Sequence, residues 1–539
     1  MRSFLLVLAL ASPALAQHQH HHSAEAATDT GKLGTVHFPI SCSPASQAAF
    51  ERGVAYLHSF WYEEAEKQFQ AAQTADSTCA MAHWGIAMSH FHQIWDRADE
   101  KVVAEGAAEL NLAQPIKTDR ERRYIAALQA FYNTDKSLGH VTRAQAYSAK
   151  MRELYAAYPN DTEAGAFYAL SLLASEKPGD ADLQNNRTAL AVLQPLFAKY
   201  PDHPGLAHYI IHTCDTPSLA PQALAAAREY AKIAPASPHA VHMPGHIFAR
   251  LGLWQEDIAS NLASIEATHY ALAHHQGGAG HQLHAMDFLV YAYVQTGQDA
   301  EAKRIMDSAP SVLKEIAASE IPDPLMEYAD SYTTSFRSMY ALERRDWEAA
   351  AAVPVPEKGE GRLTGLWANV IGSARLMQVD AAKARYDIFL QTIETMKREP
   401  GSFVDETTQI SQRELPAWVA YSKRDTATAL RLMREAADIQ DKRGQDEVDI
   451  PAREMLADML LEAERPAEAL AEYKTALALS PNRFNGLYNA GRAAEQSGNK
   501  ALAGSYYNTL VKQTGVGSTA RPELAHARDF ISQAQVASR

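Results

Sequence analysis

The chain alternates Ala-rich amphipathic runs with short breaker joints, and the runs carry a helical rather than a strand period. Tyr158-Pro159-Asn160-Asp161 and Ala234-Pro235-Ala236-Ser237-Pro238 are two of these joints. A helix stops there because proline fixes φ and has no amide hydrogen to donate. Thr118-x-x-Glu121 predicts a capped helix start ahead of Tyr124 and Leu128, the Thr hydroxyl satisfying a first-turn amide. Val353-Pro354-Val355-Pro356 and the polar stretch to Gly361 predict an irregular extended joint, since two prolines so close exclude a helix. No stretch alternates apolar and polar positions as a half-buried strand does. The run from Pro522 to Ala534, with Leu524, Phe530 and Ile531, predicts a last helix that covers an exposed apolar face. The pattern is that of an all-α chain.

The 539 residues would by length alone make three or four domains, but the apolar pattern repeats. Counted from Ser46, Gly53 falls at position 8, Tyr56 at 11, Ala65 at 20, Phe69 at 24 and Ala72 at 27. Counted from Ile450, Ala457, Leu460, Ala469, Tyr473 and Ala476 take those positions, with Pro481 at 32. Counted from Phe484, they are taken by Gly491, Ala503 and Tyr507, and Ala494 fits position 11 less well. In these residues the chain resembles the tetratricopeptide repeat (TPR) superfamily, whose unit is a helical hairpin with a period of about 34 residues. The resemblance implies a right-handed superhelical solenoid of TPR-like hairpins, closed by a C-terminal capping helix. The whole chain also resembles exported bacterial TPR proteins of unassigned activity. Leu57-His58-Ser59-Phe60, His208 to Pro217, Pro238 to Trp254 and Pro451-Ala452-Arg453-Glu454 carry that likeness.

The expected divisions are a signal peptide (1–16), a flexible His-containing segment (17–44), a solenoid with a His-rich groove (45–300), degenerate helical repeats (301–449), regular hairpins (450–513) and the cap (514–539). The signal peptide is read from Met1-Arg2, the apolar run Phe4 to Ala11 and the small-x-small Ala14-Leu15-Ala16, an apolar core too short to span a bilayer. The mature protein is therefore expected to be soluble, without stable membrane insertion, and periplasmic or secreted. In that compartment Cys42 and Cys79, which flank the first hairpin, are expected to form a disulfide and Cys214 to stay free. A formal charge of −14 disfavours nucleic acid as a partner, because binding phosphates requires clustered Lys and Arg.

Half of the 22 histidines lie between His203 and His284. His208-x-x-x-His212 recurs 34 residues later as His242-x-x-x-His246, one repeat on, and an i, i+4 pair shares one helix face. With hairpins starting at Pro204 and Pro238, His208 and His242 are position 5, His212 and His246 position 9, Asp215 position 12 and His239 position 2. A third hairpin starting near Leu283 puts His284 at 2, Asp287 at 5 and Tyr291 at 9. In the TPR superfamily these positions line the concave ligand groove. His208, His212, His242, His246 and His284 are thus the candidate ligands of a transition metal ion such as zinc, copper or iron. Asp215, His239, Asp287 and Tyr291 are candidate groove residues. Pro244 is expected to kink its helix between His242 and His246. Asp257 and Asn261 stand where Ala and an aromatic normally pack, and one or the other is expected behind an imidazole as its acceptor.

Weaker signals are the tract His18 to His22, a His-rich lip around Gly277-Gly278 (His269, His274, His275, His281), and Trp84, Phe91 and Trp95 as core. His-Glu-x-x-His, Gly-x-Ser-x-Gly, a P-loop and Cys-x-x-Cys-His do not occur, which disfavours zinc proteases, serine hydrolases, nucleotide-dependent enzymes and c-type haem proteins of familiar kind. Three readings stand: a groove binding a peptide, protein or small-molecule ligand beside a His-rich metal site; a metal-dependent enzyme using that site; and an assembly scaffold without metal.

Overall fold

The computed structural model describes residues 31–94, 97–176, 182–319, 321, 323–398, 404, 408–514 and 521–537. The signal segment, the His18–His22 tract and Trp95 lie outside the described residues. Among the described residues regular structure is helical and no strand occurs. In the first half α1 (Pro44–His58) packs on α2 (Tyr62–Ala75), α3 (Ala80–Ser89) on α4 (Glu100–Leu112), and α5 (Asp119–Phe131) on α6 (His140–Ala157). Then α7 (Thr162–Ala174) packs on α8 (Gln184–Lys199), and α9 (Pro204–Thr213) on α10 (Ala220–Ile233). The next hairpin has a divided first helix, α11 (Pro238–His242) and α12 (Pro244–Arg250), against α13 (Trp254–Ala273). It is followed by α14 (His281–Gln295) with α15 (Asp299–Ala318).

In the second half α16 (Ala329–Glu343) pairs with the short α17 (Trp347–Ala351), α18 (Glu360–Arg375) with α19 (Val379–Met396), and α20 (Ser411–Ser422) with α21 (Thr426–Arg443). Next come α22 (Ala452–Glu462) with α23 (Pro466–Leu479) and α24 (Phe484–Gln496) with α25 (Lys500–Thr514), and α26 (Pro522–Ala537) closes on α25. The result is a superhelical solenoid of TPR-type hairpins with a capping helix. The joint from Ala352 to Gly359 is non-helical, as its prolines require. No described helix is long and apolar enough to cross a membrane.

The repeat positions explain the packing. A side chain at Gly53 would place its Cβ 2.7 Å from the Phe69 ring, so the small residue at position 8 is the seat of the aromatic at position 24. Ala65 and Phe69 are fully buried. Tyr473 and Tyr507 sit equally deep in the last hairpins. The Cys42–Cys79 disulfide, Cα atoms 5.3 Å apart, ties the entry of α1 to that of α3. Closing a loop of this length contributes about 4 kcal/mol in the chain-entropy model. Cys214 is a buried free thiol.

The solenoid winds tightly enough to touch itself. Trp61 Nε1 donates to the Gly277 carbonyl (2.9 Å), 216 residues on, and Trp254 Nε1 donates to the Asn482 carbonyl (2.8 Å). Buried apolar side chains form two cores, one running from Leu33 to Ala271 and the other from Ala249 to Ala527. The histidine-bearing helices α11 to α14 lie where the two meet. Beside that join Arg483, 1% exposed, is paired with Glu343 (2.6 Å) and Glu454 (2.8 Å).

Replacing Arg483 by Met would leave both carboxylates buried without a counter-charge, a loss that typically costs about 3–5 kcal/mol. The variant is expected to melt well below the parent in thermal unfolding. An unchanged melting temperature would mean that the pair contributes nothing at this seam.

Candidate metal centre

The histidines do not form one cluster; they form two, one hairpin apart. On α9 the i, i+4 pair brings His208 Nε2 and His212 Nε2 to 3.0 Å. His239, on the first turn of α11, brings its Nε2 to 3.1 Å from His208 Nε2. In the next hairpin His242 Nε2 and His246 Nε2 are 2.9 Å apart, and His284 joins them from α14. The ligand atoms within each triad all lie within 4.8 Å of one another. Each triad therefore consists of an i, i+4 pair from one hairpin and a third ring from the first helix of the next. Of the five candidate ligands, His208 and His212 group with His239, which the sequence register assigned to the groove. His242, His246 and His284 group together. The helix is divided at Met243, where Pro244 cannot continue the hydrogen-bond ladder.

The Nδ1 atoms fix what the Nε2 atoms can be. His208 Nδ1 donates to the His58 carbonyl (2.6 Å). His242 Nδ1 donates to Asn261 Oδ1 (2.6 Å), and the Asn261 amide is held in that sense by donating to the Asp257 carbonyl (2.9 Å) and Oδ1 (2.6 Å). His246 Nδ1 donates to Asp215 Oδ2 (2.9 Å) and Glu447 Oε1 (3.1 Å). All these partners are oxygens without hydrogens, so each of these Nδ1 atoms carries a proton. The neutral rings of His208 and His242 present a lone pair at Nε2, whereas His246, held between two carboxylates, is protonated at both nitrogens in the metal-free protein. Each of those lone pairs faces another Nε2 at 2.9–3.1 Å, so a proton or a metal ion must lie between the two nitrogens. Orientation of the ring by an acceptor at its other nitrogen is the usual support for a metal-bound imidazole.

The support is built from repeat positions put to another use. A Cβ on Gly245, position 8 of its hairpin, would lie 2.8 Å from both Asn261 Nδ2 and Asp257 Oδ1. The seat that takes an aromatic ring at Gly53 here takes an amide and a carboxylate. Arg250 Nε pairs with Asp215 (2.8 Å) and its Nη2 with Glu447 (3.1 Å), which fixes both carboxylates behind His246.

Other expected residues fall elsewhere. Asp287 is buried outside both triads, its carboxyl pushed up to about 7 by burial. Tyr291 lies in the seam to the C-terminal hairpins and donates its hydroxyl to the Asp449 carbonyl (2.6 Å). The Gly277-Gly278 joint is buried under Trp61, and His269, His274 and His275 are exposed. Helix α14 begins at His281, two residues before the expected start. His58, Glu163, His203, Phe60 and Glu447 had no assigned role from the sequence, although His58 and Phe60 lie in a segment that carried the family likeness. Glu163 is fully buried, with His58 Nε2 on one oxygen (2.7 Å) and His203 Nε2 on the other (2.8 Å). These hydrogen bonds satisfy the group as a structural brace.

His212, His239, His246, His281 and His284 line one cavity of about 410 Å³, together with Phe60, Tyr62 and Tyr332 among others. The Phe60 ring stacks on His212 (5.3 Å between centroids) and His239 (5.6 Å). Burial holds His208, His239, His242 and His284 well below the ordinary histidine value, and takes His212 down to about 3. Burial also opposes a charge on His246, but Asp215 and Glu447 outweigh it and raise that ring to about 10. Asp215 is held well below the carboxylate range despite its burial, by Arg250 and His246.

A stability profile follows for the metal-free protein. Five rings are kept neutral in the fold and bind protons once unfolded below about pH 6.5, so stability falls as the pH drops from about 7 to 5. His246 acts in the opposite sense, its contribution being full below about 6.5 and lost as pH rises towards 10. The expected outcome is a melting temperature that declines on acidification over that window, and declines less in the His208→Ala variant. A flat profile would contradict the buried neutral rings.

No family model matches the chain, and no curated protein matches it. Among solved structures it is similar to a human IFIT1 dimer with m7Gppp-AAAA, at 13% identity over 85% of this chain and 94% of that one, with a TM-score of 0.36. Yeast Tom70 is 11% identical over 92% and 96%, with a TM-score of 0.34. The APC/C hetero-tetramer Cut9–Hcn1 is 13% identical over 91% and 90%, with a TM-score of 0.29. Similarities this low carry no argument about function, and the TPR-type fold of this chain rests on its own helix packing.

Proposed function

We propose that the protein is an exported solenoid in which paired tri-histidine clusters hold transition metal ions beside a small-molecule cavity. His208, His212 and His239 take one ion, and His242, His246 and His284 another. One observation carries the reading: Nε2 atoms converge at 2.9–3.1 Å around His208 in one triad and His242 in the other, two rings whose Nδ1 protons are already committed to oxygen acceptors. Neutral imidazole suits zinc, copper or iron. Three protein ligands leave a coordination position for water or substrate, as in reactive rather than purely structural sites. Rings of both triads face the cavity, so a metal-dependent enzyme acting on a small molecule is favoured over a scaffold. The N-terminal signal pattern and the Cys42–Cys79 disulfide support export.

Metal analysis of the purified chain tests this. The parent is expected to retain an ion at each triad. His239→Ala should lose the first and His284→Ala the second, with helical circular dichroism unchanged in both. Asn261→Ala is expected to weaken the second site by roughly 10–100-fold while sparing the first. Metal held by the His18–His22 tract would survive in both histidine variants. Variants that keep the full metal content would refute the assignment.

A further inference from the structure

A second cavity, of about 440 Å³, lies among α16, α18, α20 and the loop that follows α21. Its apolar wall is formed by Met339, Leu363, Trp367, Phe389, Ile410 and Val448. Its polar side is acidic. Glu414 is 3% exposed, and one oxygen accepts a hydrogen bond from Trp367 Nε1 (2.9 Å). Among the described residues Glu414 has no further partner, and the carboxylate lines the cavity. Asp449 lines it as well, accepting from the Ile450 amide (2.7 Å) and Gln440 Nε2 (2.7 Å), and Asp446 stands at the more exposed side.

The carboxylates repel one another. Burial raises the Glu414 carboxyl to about 7. Burial raises Asp449 too, and Glu414 and Asp446 add to the effect. Arg483 lies close enough to oppose this, but its charge is already matched by Glu343 and Glu454. Arg443 is the one basic side chain among the lining residues, and the charge of Glu414 is met only by the Trp367 hydrogen bond. A buried carboxylate whose free oxygen faces an apolar-walled space needs a proton or a cation.

We propose that this cavity binds an alkyl-linked cation, an ammonium or guanidinium group on an apolar stem. The head group pairs with Glu414 and Asp449, and the stem lies against Trp367, Met339 and Phe389. The Trp367 ring adds a cation–π attraction when the charge lies over its face. The volume falls within the range of small-molecule and side-chain pockets. An anion would meet like charge here, and a neutral apolar group would leave Glu414 uncompensated. The proposal is independent of the metal ions, since none of these residues belongs to either triad.

The test is calorimetric titration of the full mature chain with three probes: Nα-acetyl-lysine methylamide, 1,5-diaminopentane and Nα-acetyl-norleucine methylamide. Both amines are expected to bind, and the norleucine compound, which has the stem without the charge, roughly tenfold or more weaker. Glu414→Gln keeps the Trp367 hydrogen bond and should weaken the amines by a similar factor while leaving metal content unchanged. Met339→Trp, which fills the cavity without touching a carboxylate, should abolish binding and guards against misfolding of the first variant. A preference for the lysine derivative points to a peptide side chain as the natural occupant, and a preference for the diamine to a free polyamine. Equal binding of the norleucine compound, amine binding unaffected by both substitutions, or no binding of either amine overturns the proposal.

Discussion

The carboxylate of Glu163 is the contact on which the site depends. It is fully buried and takes one imidazole on each oxygen, His58 from the first hairpin and His203 from the entry to α9. A charge so placed cannot be left alone in a low-dielectric interior, so the two rings are held where the carboxylate needs them. Once His58 is fixed, its backbone carbonyl is in place to accept from His208, and the chain turns directly into Phe60 and Trp61. Phe60 then covers His212 and His239, and Trp61 closes on Gly277. A contact outside both histidine triads thereby orients one of them and walls its cavity.

Much of this was legible in the sequence, and the limits have physical causes. Helix identity, the joints at Pro159 and Pro235, the division at Pro244 and the Cys42–Cys79 pairing are local or compartmental matters, and the residues announce them. The shared faces of His208 with His212 and of His242 with His246 follow from helical geometry alone. The grouping into two triads does not, because the register within one hairpin says nothing about the stagger of the next. Asp287 and Tyr291 occupy ligand-lining positions only if the third hairpin starts near Leu283. It does not, since α14 begins at His281 and turns those side chains elsewhere. His58 and Glu447 reach the site from 150 and 201 residues away from their imidazole partners. Superhelical winding makes those contacts, and no local pattern encodes them.

The two triads are the same device written twice with different supports. In the first, a ring is oriented by a backbone carbonyl; in the second, by an amide and by two carboxylates backed by Arg250. The anionic support makes the second triad the more basic, so ions bound at the two would differ in charge stabilisation even with identical donor sets. Between pair and third ring the chain runs from His212 to His239 in one case and from His246 to His284 in the other. Part of the extra length is absorbed in α13, which has 20 residues where α10 has 14, and the rest in the glycine joint that Trp61 closes.

Repeat solenoids ordinarily gain or lose units with little penalty, because each unit touches only its neighbours. The contacts of His58 with His208 and of Trp61 with Gly277 remove that freedom here. One hairpin more or fewer between them would shift the facing surfaces by about the 8–10 Å that separates packed helices, several times the reach of a hydrogen bond. The number of repeats thus acts as a fixed length standard: evolution can vary the sequence of the intervening hairpins, but not their count, without dismantling the site they encircle.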